Sequence, residues 1–239
     1  MMFQRVVPPP WFLTIVATLA CLGILTATGT ARDAIAFVPS GFRVEGLLTP
    51  AGFEIVASVG FALLRFERHA GRSHQGWDEQ VRLRAGSHAR FVRRIVAEEM
   101  VAAGALAATV VVVITCSLVA RFGPAVLIDP LITSPIAAYF FIGWWQLAFY
   151  SLTLIVVHFW APAWVAFGAA ALIVAVPPIG VSPPWLPLHQ FNIDLTGDDD
   201  GMRMAVLVVA TAATVALGMS RASKPRRSTR TQRRRALTS

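Results

Sequence analysis

The chain has 239 residues, 56% of them hydrophobic and only 14% charged, with a net charge of +8. Soluble domains carry about 25% charged residues, so an ordinary soluble enzyme is excluded, and the length leaves no room for a separate soluble catalytic domain. The two cysteines, Cys21 and Cys116, both lie in apolar runs; they form no metal-ligand spacing and no disulfide framework, and read as core thiols.

An apolar stretch of about 18 or more residues reads as a membrane-crossing helix, because about 20 residues traverse the hydrocarbon core. In chain order the sequence predicts six such spans: 11–29, 46–64, 100–120, 135–157, 160–176 and 202–219. The expected architecture is all-α, a polytopic membrane protein whose six-helix domain covers residues 1–220. The charged start "MMFQR" and the small residues of "TGTARDA" also suit a signal peptide, but the first apolar run is long for one. The second span is the weakest, since it contains Pro50 and Glu54. A carboxylate at membrane depth is costly and usually faces protein or water. Glu54 is therefore a candidate for contacting a substrate or for a buried pair, unless the span begins near Ala51 and leaves it below the surface.

Basic residues set orientation, because Lys and Arg concentrate in cytoplasmic loops. With six spans and a cytoplasmic N-terminus, one side holds Arg5, the eight arginines from Arg65 to Arg94 and the eight basic residues from Arg221 to Arg235. The other side holds Arg32, Arg43, Arg121 and Arg203. Both termini are thus expected in the cytoplasm, with a cytoplasmic loop at 65–99 and a basic cytoplasmic tail at 221–239.

The 65–99 loop has helical character. Trp77, Val81, Arg84 and His88 recur at three- and four-residue steps, as do Phe91, Ile95 and Glu98. Asp78 and Arg82 form an acid-before-base pair four residues apart, and Ser87 can cap a helix running into the third span. Trp77, Val81, Arg82, Arg84, His88 and Phe91 are the candidate partner-docking residues. The same segment would also suit a basic surface helix on anionic headgroups, or a solvated loop that only fixes orientation.

In the fourth span Trp144, Trp145 and Gln146 form an aromatic-plus-amide face. With Glu54 they are the candidate substrate path, and helix packing is the competing reading. His158, before the turn at Ala161-Pro162, reads as structural. The outer segment 177–201 is proline-rich and apolar, with Trp185 expected at headgroup level. Its "DLTGDDDG" lacks the spacing of a calcium loop, and no metal site is expected. The tail suits anionic lipid, and no motif supports nucleic-acid binding. There is no G-x-x-x-x-G-K-[ST] phosphate loop, H-E-x-x-H, C-x-x-C or G-x-S-x-G. No enzymatic activity and no cofactor are expected in this chain, so any ATP and Mg would be held by a partner.

The pattern of six spans, cytoplasmic ends, a basic helical loop after span two and an apolar proline-rich loop before span six resembles the permease subunits of ABC-2-type exporters, the antibiotic-export and bacteriocin-immunity permeases. "FERHAG", with Glu67 and Arg68, is similar to the acidic-basic start of that family's loop. "AGSHARFVRRIVAEEM" is similar to its turn into the third helix. The family's Gly-Thr after the acidic pair, the proline of the turn and the Gly-Lys at the helix entry are absent. The resemblance implies export of an amphipathic or hydrophobic substrate across a bacterial cytoplasmic membrane. It also implies a cytosolic ATPase docked on residues 65–99 and a second permease protomer, identical or different. The competing function is a structural or assembly subunit of a larger membrane complex.

Overall fold

The computed structural model describes residues 7–37, 53, 55–74, 87–162, 164–169 and 200–220. Among these every regular element is helical. Helix α1 (Pro10–Thr26) opens on a proline at its first position, where the missing N–H has no helical partner to lose. Helix α2 (Ala31–Phe37) follows a turn at Gly29, whose φ of 93° suits glycine. A π-helical turn (Ile55–Gly60) leads directly into α3 (Phe61–His74).

Helix α4 (His88–Phe122) starts at Ser87, whose side chain accepts from the Arg90 N–H. It stops at Gly123, φ 87°, ahead of a 3-10 turn (Pro124–Leu127). Asp129 then caps α5 (Pro130–Trp160) by accepting from the Leu131 N–H at 2.9 Å, with Pro130 at the first position. Helix α5 ends at Ala161-Pro162. Residues 164–169 are helical, and α6 (Asp200–Ser220) is the last described element.

Helices α4 and α5 are long and apolar enough to cross a membrane. At 1.5 Å per residue they extend about 50 Å and 45 Å, beyond a hydrocarbon core of about 30 Å. Helix α1 and the Met204–Ser220 part of α6 are apolar but shorter.

Contacts fix the relative directions of the helices. Helices α4 and α5 form an antiparallel pair, and the end of α5 (Leu152, Ile155, Phe159) meets the start of α4 (Phe91, Val92, Ile95). The end of α6 joins the same cluster through Val215 and Met219. Phe66 of α3 packs beside Tyr150 and Leu154 there and sets its ring edge-on to His158. At the other end, the Arg121 side chain donates to the Ile24 carbonyl, so α1 and α4 finish together. Ile24, Ile35, Leu118, Val126 and Ile132 close the core at that end. Helices α5 and α6 therefore end together and run parallel.

Close approaches occur where side chains are small. A methyl added at Gly104 would meet Trp144 at 3.2 Å, and one at Gly218 would meet Val156 at 3.1 Å. Ala102, Ala103 and Ala107 line the buried face of α4, as expected where small residues let apolar helices approach.

The helices run past the expected span ends. Helix α3 continues to His74 and α4 begins at His88, so only 75–86 separates them within the expected 65–99 loop. The reason is amphipathic periodicity. Phe66, His69, Phe91, Val92 and Ile95 all turn inward, so packing sustains the helix after the purely apolar stretch stops. Cys116 also departs from expectation: it is exposed on α4 rather than a core thiol, and Cys21 is half-buried.

Candidate functional site

The most unusual chemistry in the described molecule lies between the two helices that border residues 75–86. Arg65, in the second turn of α3, is 1% exposed, and Glu99, in the fourth turn of α4, is 0% exposed. The guanidinium Nε donates to Glu99 Oε1 and Oε2, each at 3.0 Å, and Nη2 reaches Oε1 at 2.6 Å. His69, one turn after Arg65 and also buried, sets its Nε2 3.0 Å from the same Oε1. A carboxylate oxygen only accepts, so His69 carries a proton on Nε2 in this contact.

Bringing these groups together out of water is costly, and the planar guanidinium fork is the side chain best suited to offset that cost. Arg65 and His69 are four residues apart and so share one face of α3. Ser58, seven residues before Arg65 in the π-helical turn, is fully buried and its Oγ has no hydrogen-bond partner among the described residues. The hydroxyls of Thr109, Thr153, Thr211 and Thr214, on regular α-helix, donate to the carbonyl four residues back. The i→i+5 spacing of a π-helix is the local difference at Ser58.

Helix α5 packs against both partners of this cluster. Trp144 Nε1 donates to the Met100 carbonyl at 2.7 Å, next in sequence to Glu99, while its ring lies over Gly104. Buried Gln146 donates from Nε2 to the Tyr150 hydroxyl at 3.1 Å. Tyr150 packs with Ala62 and Phe66 of α3. Of the candidate substrate path, Trp144 thus bonds across to α4, Gln146 is buried on Tyr150 of its own helix, Trp145 is half-buried, and Glu54 lies outside the described residues.

The docking candidates divide. Trp77, Val81, Arg82 and Arg84 lie outside the described residues. His88 places Nε2 3.0 Å from the Gly218 carbonyl and packs its ring near Phe91 and Phe159. Phe91 is 6% exposed, in the cluster with Leu152 and Ile155. Phe91 is thus part of the core, and His88 ties α4 to α6. The helix repeat turns them inward and leaves Arg90, Arg93 and Arg94 outside.

The sequence reading missed Glu99 and Arg65 because each was assigned to a charged loop. The available signal was their placement. One follows the second apolar run, the other precedes the third, and they carry opposite charge. No group of three or more His, Cys, Asp or Glu suited to a metal ion occurs among the described residues. Compared with protein-family models, characterised proteins and solved structures, the chain finds no match.

Proposed function

We propose that this chain is a multi-pass membrane protein, the permease subunit of an ATP-driven exporter, with both termini in the cytoplasm and six crossings. The observation that carries the reading is the buried Arg65–Glu99–His69 cluster. It clamps the two helices that lead into and out of residues 75–86. A force applied to that connection by a cytosolic partner then reaches α3 and α4 together, and through Trp144 and Tyr150 it reaches α5. A pore in lipid needs such a lever, because it has no nucleotide site of its own.

Supporting features are the shared ends of α3, α5 and α6, the parallel run of α5 and α6, and the concentration of arginine near the clamped end. Trp160 and Trp164 are exposed, at 44% and 74%. Both follow the clamped end of α5, as interfacial tryptophans do. On this reading the substrate path runs between two protomers, and ATP and Mg stay on the ATPase.

The test is co-purification of the tagged chain from its native membrane. A stoichiometric ATPase, lost in Trp77→Ala and retained in Arg82→Ala, is the expected result. Recovery of several unrelated membrane subunits and no ATPase would reject it. That outcome belongs to the second reading, an assembly subunit of a larger membrane complex. The observation favouring this alternative is that Trp144 is engaged with the Met100 carbonyl of α4 and Gln146 is buried on Tyr150 of its own helix.

A further inference from the structure

We infer that the outer face of α4 is a binding site for an anionic phospholipid of the cytoplasmic leaflet. Helical phase gives the first argument. Arg90, Arg93, Arg94, Ala97, Val101, Ala108, Val112 and Cys116 are all exposed and, at 100° per residue, fall within one face of α4. This face changes character once. It is cationic through its first two turns and apolar from Ala97 onward. An exposed face with that order matches a phospholipid, which presents a charged phosphate and then a hydrocarbon chain.

Depth gives the second argument. Val101 to Val112 covers about 16 Å of helix, close to the roughly 15 Å of hydrocarbon in one leaflet. An acyl chain lying on Val101, Ala108 and Val112 therefore leaves its phosphate between Val101 and Arg94, whose backbone is about 10 Å farther along the axis and whose side chain is long enough to reach it, with Arg93 and Arg90 beyond. Among the described residues, Glu98 accepts from Arg94 Nε at 3.1 Å, a contact made through one nitrogen of a guanidinium fork that can also bond a phosphate. The site is rigid. The opposite face of the same turns is locked by Phe91, Val92 and Ile95, and by His88 on the Gly218 carbonyl. That last contact also brings the end of α6 to this corner.

The inference rests on the membrane reading, and the experiment separates the two. The full chain is reconstituted in vesicles of equal phosphatidylcholine and phosphatidylglycerol, then extracted, and the lipids retained are measured by native mass spectrometry. Sedimentation with the vesicles through carbonate washing tests the membrane reading by itself; release there would overturn both. For a protein that stays, retained phosphatidylglycerol should exceed phosphatidylcholine by at least tenfold, since each basic group near the surface changes binding about fivefold. Arg90→Gln/Arg93→Gln/Arg94→Gln should bring the ratio near one, while the triple lysine variant keeps most of it. Truncation after Ser220 should leave it within about threefold. Inorganic phosphate should not displace the lipid, because it lacks the part that rests on Val101 and Val112. Unchanged enrichment in the glutamine variant, or its loss on truncation alone, would overturn the site. The exposed positions leave the core untouched, and an unchanged circular dichroism spectrum verifies folding of each variant.

Discussion

The two ends of the bundle handle charge in opposite ways. At one end Glu99 is fully buried and bonded to residues 34 and 30 positions away, Arg65 and His69. At the other end Asp33 is solvent-exposed, and its Oδ2 accepts from the N–H and hydroxyl of Thr30, three positions away, each at 2.7 Å. The chemistry is the same, a carboxylate with donors around it, yet one carboxylate joins two long helices and the other only starts a short one. Sequence separation and burial together decide whether a charge organises the fold or finishes a turn. The clamped end borders residues 75–86, the segment on which the proposed function rests.

The comparison can be broken most directly at Glu99. Glu99→Ala leaves Arg65 buried without its carboxylate and is expected to cost about 3–5 kcal/mol, measured as a fall in thermal stability in detergent. Arg65→Met combined with Glu99→Leu should recover most of that loss, because apolar replacement of both partners removes the stranded charge. A double variant as unstable as the single one would mean that the cluster's hydrogen bonds, not charge pairing, hold the end together.

A smaller effect is expected at Gly218→Ala. The added methyl meets Val156 Cγ2 at 3.1 Å, and such overpacking costs about 1–3 kcal/mol. Next comes His88→Phe, which keeps a ring beside Phe91 and Phe159 but removes the bond to the Gly218 carbonyl, for about 1 kcal/mol. Hydrogen exchange at the last turn of α6 should report both.

The smallest effect belongs to the opposite end. The Thr30 hydroxyl and N–H hold the Asp33 carboxyl below its usual 3.8, aided by Arg32. A carboxylate with a lowered value contributes stability above its unfolded pKa and loses it as pH falls through the folded one. Amide protection factors in α2, exchange rates corrected for their intrinsic pH dependence, should therefore be flat at neutral pH and fall only in acid below about pH 4, and Asp33→Asn should flatten that fall. A pH response spreading to α4 and α5 would show that the two ends are not independent.

The apolar runs around Pro10–Thr26, His88–Phe122 and Pro130–Trp160 were legible because hydropathy over such lengths leaves few alternatives. The start of α4 was half legible. The spacing of Phe91 and Ile95 was visible, but not that their face meets Leu152 and Ile155 of another helix. The partnership of Glu99 had only the faint mark of placement at the edges of two apolar runs, since nothing local ties a carboxylate to donors 34 and 30 positions earlier. Trp144 and Gln146 illustrate the same limit. Their types suit a ligand or a helix neighbour equally, and nothing in the sequence marks that Trp144 reaches the Met100 carbonyl of α4 or that Gln146 bonds the Tyr150 hydroxyl one turn on in α5. Cys116 erred in the opposite sense, because an apolar run in a membrane helix has an outside as well as a core.

The π-helical turn at Ile55–Gly60 gives the bundle one place that can absorb a change in chain length. With i→i+5 bonding, six residues sweep about the same rotation as five in an α-helix. Loss of one residue there would convert the turn to α-helix and still leave Arg65 and His69 aimed at Glu99. The same loss inside Ala102–Val110 would swing everything beyond it by about 100°, with no spare residue to take up the difference.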